Sequence, residues 1–318
     1  MHVLVTGGCG YVGSALVPRL QAATEVDRIT VLDTLDNGSL SHLIGAPITD
    51  GFEFREGDVG EYPDVEGAMA GVDAVVHLAA INRVDSETAG KADTYTVNLD
   101  GTWNVLNAAR THDVENVVFA SSSRVYGNLS TDRIGASTTP NPFDPFTETK
   151  YEAERLLREF AGEPDRTATA LRLGTAYGYA PGVRFDLAPN RFVFQALTDR
   201  RILLPGEGTG WQPLIHVQDA AAALDHALRN PHRWSKTVYD VGSTAEQYRL
   251  ADVAEVVRNE INPDLDVDSL EGEGDAVSFR LSFEDFEDVA MALDWTLTEG
   301  VRDLADRFID PEHHPLTP

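Results

Sequence analysis

Three glycines near the start of the chain, Gly7, Gly10 and Gly13, are spaced as G-x-x-G-x-x-G. They lie between an apolar run at 2–6 and an apolar-periodic stretch at 14–20, so the pattern predicts a strand, a glycine turn and a helix. A backbone without Cβ atoms can approach a pyrophosphate closely, and the N–H groups that open a helix bind its oxygens. We therefore predict a dinucleotide site here rather than a glycine turn without a ligand.

Asp33 lies 20 residues beyond Gly13, directly after a second predicted strand at 29–32. A carboxylate at this place accepts hydrogen bonds from the hydroxyls of an adenosine ribose. The same charge would repel the 2′-phosphate of NADP, so we predict NAD as the cofactor. The predicted cofactor contacts in this part of the chain are Gly7, Gly10, Tyr11, Val12, Asp33 and Asn37.

Strand and helix patterns alternate through the first half of the chain, which predicts an α/β fold with a doubly wound parallel sheet, a Rossmann domain. Further strands are predicted at 52–56, 74–78, 117–121, 168–173 and 238–241, helices at 217–228, 250–261 and 298–308, and an acidic loop at 264–275. We assign 1–178 to the NAD-binding domain, with 214–242 returning to it. A smaller, mixed α/β substrate domain is expected at 179–213 and 243–318.

The chain is strongly acidic, with 25 Lys and Arg against 52 Asp and Glu and a net charge of −27. This balance argues against nucleic-acid and membrane partners, because so few cations cannot form a useful basic patch. Only Lys91, Lys150 and Lys236 are lysines. An acid-rich, lysine-poor surface suits high salt, although an ordinary acidic enzyme is the alternative. The single cysteine, Cys9, and the lack of a leader pattern indicate a cytoplasmic protein.

Six ordered motifs resemble the extended short-chain dehydrogenases/reductases, in particular the NAD-dependent sugar-nucleotide epimerases and dehydratases. They are TGGCGYVG at 6–13, GDV at 57–59, HLAA at 77–80, NLDGT at 98–102, SSSRVYG at 121–127 and IHVQD at 215–219. The resemblance implies that Asp58 and Val59 hold the adenine and that Asn98 supports the active-site backbone. The residues implied to line the cofactor groove are Leu78, Ala79 and Ala80.

In this family a tyrosine takes a proton from a sugar hydroxyl while a hydride passes to NAD. A lysine four residues later lowers the tyrosine pKa and binds the nicotinamide ribose, and a serine or threonine assists. By that resemblance Ser122 is the hydroxyl residue and Lys150 is the lysine, but Phe146 stands at the tyrosine position. Phenylalanine keeps the ring and lacks the titratable oxygen. No set of His, Cys and carboxylates has ligand spacing, so we predict no catalytic metal.

Phe146 leaves three interpretations open. It is a replacement of tyrosine made to trap a substrate complex, or the residue of an enzyme that uses another acid or base. The candidates for that role are Tyr151, Tyr177, Tyr126 and a water held by Ser122. In the third interpretation the chain is a catalytically silent protein that binds NAD and a sugar in a regulatory or scaffold role.

The expected substrate is a sugar or sugar nucleotide. Family members often bind the substrate diphosphate with an arginine at the position of Gln212, which brings no charge. Arg184 and Arg191 are alternative anion contacts, and a sugar without a nucleotide remains an alternative substrate. By analogy we also expect a homodimer formed by the helices after Asn98 and at 146–160.

The composition generates the first test. If the acidic surface is an adaptation to salt, lowering KCl from molar to about 0.1 M lengthens charge screening from about 3 to 10 Å and unfolds the protein by self-repulsion. Circular dichroism during dialysis would record this loss of helix, and NaCl in place of KCl serves as the control. A fold that is equally stable at both concentrations would identify an ordinary acidic protein.

Overall fold

The structure is a computed structural model that describes residues 1–44, 51–82, 90–129, 134–270 and 278–309. Its strands are β1 His2–Thr6, β2 Arg28–Asp33, β3 Phe52–Glu56, β4 Ala74–His77, β5 Asn116–Ser122, β6 Thr167–Leu173, β7 Thr175–Tyr177, β8 Arg201–Pro205, β9 Trp211–His216, β10 Val238–Val241, β11 Gln247–Arg249 and β12 Asp266–Leu270. Its helices are α1 Tyr11–Ala22, α2 Tyr62–Ala68, α3 Lys91–Tyr95, α4 Gly101–Thr111, α5 Pro145–Ala161, α6 Ala188–Thr198, α7 Val217–Arg229, α8 Leu250–Ile261, α9 Glu284–Glu287 and α10 Leu297–Ile309. Within these ranges, no helix combines the length and apolar character needed to cross a bilayer.

The main sheet has seven strands in the order β10-β6-β5-β4-β1-β2-β3, and every pair in it is parallel. This arrangement confirms the predicted doubly wound Rossmann fold. From β1 the chain continues to β2 and β3 on one side of β1, and it then crosses to β4 on the other side of β1. The strand order therefore reverses between β1 and β4. Ligands of open α/β sheets bind at such a switch point, beyond the carboxyl ends of the strands.

Apolar cores cover both faces of this sheet. Val3 and Val5 belong to a cluster that includes Leu16 of α1 and Ala220 of α7. Leu4 faces the other way and packs in a cluster with Leu157 of α5. Successive side chains of a strand point to opposite faces, so a strand buried on both faces is a continuous apolar run. This burial explains why the run at 2–6 was recognisable as a strand.

A smaller part of the fold lies outside the main sheet. It contains a mixed three-stranded sheet, β11-β9-β7, and a parallel pair, β12-β8, and α6 packs with α8 and α10. The loop predicted at 264–275 is wrong over Asp266–Leu270, which form β12, while 271–275 lie outside the described residues. Strand β10 pairs with β6 in the main sheet, and α7 packs on α1. The exact division of the chain into two domains remains a prediction.

A buried polar network fixes α5 against the main sheet. The guanidinium of Arg172 on β6 donates to both carboxylate oxygens of Glu154 on α5, at 2.7 and 2.6 Å, and both side chains are fully buried. Ser121 donates to the same carboxylate at 2.7 Å. Arg172 also donates to the hydroxyl of Tyr126 at 2.6 Å, and this hydroxyl donates to Asp240 at 2.7 Å. A buried pair of this kind persists only because each charge is matched and hydrogen-bonded.

Removing one charge from this pair should therefore be costly. We expect Glu154→Gln to lower the free energy of unfolding by about 3–5 kcal/mol, because Arg172 would remain buried without its counter-charge. The control is Glu255→Gln on α8, where Glu255 is 47% exposed and pairs with Arg258, and it should change stability by less than about 0.5 kcal/mol. Urea denaturation at high salt measures both. Equal effects would contradict the anchoring role of the pair.

Candidate active site

The glycine turn between β1 and α1 is shaped by close backbone contacts. Gly7 has a φ of +71°, and a Cβ added there would lie 2.6 Å from the backbone nitrogen of Ala79. A Cβ at Gly13 would lie 2.5 Å from the carbonyl oxygen of Gly8. At Gly10 the nearest atom, the Gly7 oxygen, is 3.2 Å away. The fold itself requires Gly7 and Gly13, whereas Gly10 leaves space in front of the turn.

This space lies at the N-terminus of α1. The helix begins at Tyr11, followed by Val12, and its N-cap Gly10 has no side chain to bind the first N–H groups. No acidic residue occupies the first turn. The unpartnered N–H groups and the positive end of the helix dipole together favour a bound anion. The turn therefore fits a pyrophosphate.

Asp33 follows the same turn at the end of β2. One carboxylate oxygen accepts a hydrogen bond from the Cys9 N–H and the other from the Leu35 N–H, each at 2.9 Å. These bonds hold the carboxylate beside the turn and leave lone pairs on both oxygens for ribose hydroxyls. Asn37 is exposed in the next loop, where a Cβ on Gly38 would lie 2.7 Å from the Cys9 oxygen. The loop after β2 thus packs directly on the glycine turn.

The residues assigned to adenine binding lie in the turn after β3. The Asp58 carboxylate accepts the Gly60 N–H at 2.8 Å, as a turn-forming aspartate does. Val59 is buried, and its carbonyl oxygen accepts a hydrogen bond from the Asn104 side chain at 2.8 Å. These contacts shape the turn, and adenine contact by Asp58 and Val59 stays a prediction.

The segment after β4 lies against the glycine turn. Residues 78–80 include Ala79, whose backbone nitrogen is the atom nearest to a Cβ placed on Gly7. Asn98 holds the next residue by two hydrogen bonds: its Oδ1 accepts the Ile81 N–H at 2.7 Å and its Nδ2 donates to the Ile81 oxygen at 2.9 Å. The carboxyl ends of β1, β2 and β4 therefore meet at one groove.

Helix α5 brings Phe146 and Lys150 to the end of β5. The helix starts at Pro145 after its N-cap Asp144, which accepts the Thr147 N–H at 2.7 Å. Phe146 follows directly and is buried. One turn later, Nζ of Lys150 donates to the Ala120 oxygen at 2.7 Å. The one-turn spacing of ring and lysine thus places both at the sheet edge where Ser122 ends β5.

Burial changes the charge state of Lys150. Its side chain is 4% exposed, and desolvation lowers its pKa to about 7 against an opposing effect of Glu154. His77 is also buried, and desolvation followed by the charge of Lys150 lowers its pKa to about 3. Both ring nitrogens of His77 are hydrogen-bonded, to Thr6 at 2.6 Å and Thr102 at 3.0 Å. This histidine is a neutral structural residue.

Ser122 is the last residue of β5. Its Oγ accepts the Arg124 N–H at 3.2 Å, which caps a 3-10 turn over Ser123–Tyr126. Ala120 lies two residues earlier, so the two positions share a face of the strand. The hydroxyl proton of Ser122 remains available for another acceptor. The described residues contain no group of three or more His, Cys, Asp or Glu that could hold a metal ion.

Two of the tyrosines considered as replacement bases are enclosed. Tyr126 is fully buried, and its hydroxyl is bound by Arg172 and Asp240. Tyr177 is 1% exposed and packs edge-on against His216 at 5.2 Å. Burial raises the pKa of both phenols, so the phenolate form that could accept a proton is scarcely populated near neutral pH. The geometry removes both from the candidates, whereas Tyr151 is partly buried on the α5 surface next to the apolar core.

The two arginines considered as anion contacts differ in their surroundings. Arg184 forms an ion pair with Asp186. Arg191 is partly buried on α6, with its guanidinium 5.6 Å from the Phe192 ring centroid. Gln212 lies on β9 opposite Tyr248 of β11.

Sequence reasoning missed the role of the Tyr11 side chain. Its hydroxyl donates to the Gly178 oxygen at 2.5 Å and accepts a hydrogen bond from Asn190 at 3.2 Å. Asn190 in turn accepts the Gly178 N–H at 2.9 Å. This cluster joins the glycine turn to the segment at 178–190. The motif predicted Tyr11 only as a cofactor contact, because the partners of its hydroxyl lie more than 160 residues away.

A match to a protein-family model decides the family. Residues 3–242 match the NAD dependent epimerase/dehydratase family. The chain belongs to this family. Its cofactor is accordingly NAD. The glycine turn, the open space at Gly10 and the carboxylate of Asp33 fit an NAD molecule.

Individual relatives agree with this family. The chain is 34% identical over 228 residues to a dTDP-glucose 4,6-dehydratase of Mycolicibacterium smegmatis, covering 70% of this chain and 67% of the relative. It is 30% identical over 251 residues to the low-salt glycan biosynthesis protein Agl12 of Haloferax volcanii, covering 79% of each chain. The structure is similar to that of a UDP-glucose 4-epimerase of Thermus thermophilus in complex with NAD, with a TM-score of 0.80, 25% identity and coverage of 98% and 99% of the two chains.

The open space at Gly10 gives a test of the cofactor site. Gly10 has a φ of −77°, which alanine adopts freely. We expect Gly10→Ala to weaken NAD binding at least about 10-fold by obstructing the pyrophosphate, while Tm changes by less than about 3 °C. Gly67→Ala in α2, where the nearest atom to the new Cβ is 3.5 Å away, is the control. Calorimetric titration at high salt measures binding, and unchanged affinity in Gly10→Ala would move the site elsewhere.

Proposed function

We propose that this protein oxidises a secondary hydroxyl of a sugar nucleotide to a ketone, as the first step of an epimerisation, a dehydration or a net dehydrogenation. The observation that carries the proposal is the buried Lys150, which lies on the helix that also bears Phe146 and donates to the Ala120 oxygen two residues before Ser122. The printed functions of the relatives, a dTDP-glucose 4,6-dehydratase and a UDP-glucose 4-epimerase, support this class of substrate.

The chain's own residues have separate tasks in this proposal. NAD, when bound, supplies the hydride acceptor. The backbone at Gly7 and Gly10 and the first N–H groups of α1 hold the pyrophosphate, and Asp33 binds the adenosine ribose. Lys150 binds the nicotinamide ribose, and Ser122 donates a hydrogen bond to the reacting oxygen of the sugar. Burial of Phe146 and Lys150 keeps water away from this region.

The nucleotide diphosphate needs a cation that Gln212 does not supply. Arg184 is already paired with Asp186, so we assign this contact to Arg191. Desolvation lowers the pKa of Arg191, but an arginine keeps its charge at neutral pH. A charge-assisted contact from a partly buried arginine is stronger than one from a glutamine amide.

Phe146 favours one alternative function. A chain without the phenol oxygen could bind NAD and a sugar without turnover and act as a regulatory or scaffold protein. Intact NAD-binding geometry suits both functions, so only measurements of turnover separate them.

We also propose that the protein is a homodimer formed through α4 and α5. The outer faces of these helices border a shallow groove of about 390 Å³, lined by Leu99, Asp100, Trp103, Glu152, Arg155, Leu156 and Glu159. Trp103 is 51% exposed in the single chain. Exposed tryptophans are typical anchors of protein interfaces.

Adaptation to high salt and a cytoplasmic location remain predictions from composition.

Restoring the phenol tests the enzyme proposal. We expect Phe146→Tyr, assayed at high salt with NAD and a panel of UDP- and dTDP-sugars and free sugars, to raise turnover by about 10²–10⁴-fold, the usual contribution of a positioned acid or base. Phe143→Tyr is the matched control, since Phe143 is 44% exposed three residues before the site. NADH absorbance and sugar products are both recorded. If NAD binds but neither chain makes NADH or product, the silent-binding function replaces the enzyme.

A further inference from the structure

The oxidation proposed above needs a group that takes the hydroxyl proton, and few side chains at the site can do so. Phe146 has no titratable atom, and His77 has both ring nitrogens engaged. The hydroxyl of Ser122 is too weak an acid to carry a negative charge near neutrality. The enclosure of Tyr126 and Tyr177 removes two further candidates. Tyr151 follows Lys150 directly on α5, so the two side chains do not share a face of the helix. Among the described side chains at the end of β5, the Lys150 amine is the base that remains.

Lys150 has an unusual contact set for a lysine. Its Nζ lies 4.5 Å from the Phe119 ring centroid and 5.9 Å from the Phe146 ring centroid. One N–H is used by the Ala120 oxygen. In its neutral form the amine therefore has a free lone pair, because the rings of Phe119 and Phe146 donate no hydrogen bond to it.

The neighbouring charges do not compensate Lys150 by a direct ion pair. Glu154, one turn further along α5, is bound by Arg172 on both oxygens and also pairs with Arg158 at 3.5 Å. The remaining charged or titratable groups on α5 and on the elements that pack around it are Lys91, Asp93, Tyr95, Asp100, Arg110, Arg124, Tyr126, Glu148, Tyr151, Glu152, Arg155 and Glu159, together with His77 on β4. Glu148 is engaged by Tyr95 and Lys91, and Arg124 by Asp144.

We propose that in this chain Nζ of Lys150 is itself the base that takes the proton from the substrate hydroxyl. This inference rests on the proposed function. The substrate O–H bond breaks and an N–H bond forms on Nζ, while the carbon-bound hydrogen leaves with its electron pair to NAD, which leaves a ketone and an ammonium ion. The pKa of about 7 for Lys150 provides the neutral amine near neutral pH.

The aromatic rings suit the product of this step. An ammonium ion formed over the Phe119 face is stabilised by the ring quadrupole, whereas the neutral amine gains little from it. The same rings exclude water from both states. Phe146 therefore contributes an aromatic surface that favours the protonated lysine. A tyrosine at this position would instead contribute a phenol that transfers a proton.

The chain offers a direct measurement, because it contains only three lysines. Reductive ¹³C-methylation gives NMR signals from the three lysines and from the α-amine of Met1, and the signal that disappears in Lys150→Met is the one of interest. Lys91 is 69% exposed, and Asp285 raises the pKa of Lys236. We expect the Lys150 signal to titrate near pH 7, well below the signal of Lys236. A Lys150 signal that titrates together with Lys236 would overturn the proposal.

Turnover provides the second test. Lys150→Arg retains a cation for the ribose, but its guanidinium stays protonated and cannot take the proton of the substrate. We therefore expect kcat to fall at least about 100-fold while NAD affinity changes little. In Lys150→Ala, added methylamine should restore turnover in proportion to its free-base concentration. Lys91→Met is the control and should retain full activity. Active Lys150→Arg, or no rescue by methylamine in a folded variant, would overturn the role of Lys150.

Phe146→Tyr separates the failure of this inference from failure of the proposed function. The unmodified chain should show kcat rising with pH through about 7, set by Lys150. If Phe146→Tyr is active and the unmodified chain is inactive at every pH, Lys150 is not the base but the enzyme proposal stands. If neither is active with any sugar, the enzyme proposal itself fails.

Discussion

The buried ion pair between Arg172 and Glu154 determines where α5 lies on the main sheet. Glu154 follows Lys150 by four residues, so both side chains project from the same side of the helix. A bidentate contact tolerates little sliding, because either oxygen would lose its donor in a region without water. The reach of Lys150 to the Ala120 oxygen is therefore set by a contact one turn away. The polar network specifies the site geometry rather than adding to the apolar core.

The strands of the main sheet were predictable because they are buried on both faces. The apolar runs at 2–6 and 74–77 needed no knowledge of their neighbours. Strand β12 was missed for the opposite reason. Its sequence DVDSL is polar and largely exposed, and it forms a strand through backbone pairing with β8 alone. Hydrophobic patterns report burial, and an exposed edge strand has no such signal.

The candidate site likewise has features that the local sequence predicts and features that it does not. The spacing of Phe146 and Lys150 could be recognised locally, since both lie on one helix. The partner of that helix could not, because Arg172 belongs to the next strand, 18 residues beyond Glu154, and Asp240, which holds Tyr126, comes from β10. Sequence position also gave no means to exclude Tyr126, whose orientation follows from its bonds to those two residues. The sheet order alone brings these side chains together.

The Tyr11 hydroxyl also has a thermodynamic consequence. This residue opens α1 beside the glycine turn, while its hydroxyl bonds to Gly178 and Asn190. An adjustment of the glycine turn on uptake of NAD would reach the 178–190 segment through these bonds. If a ligand held by that segment then bound more tightly or more weakly, linkage would require an equal effect on the affinity for NAD.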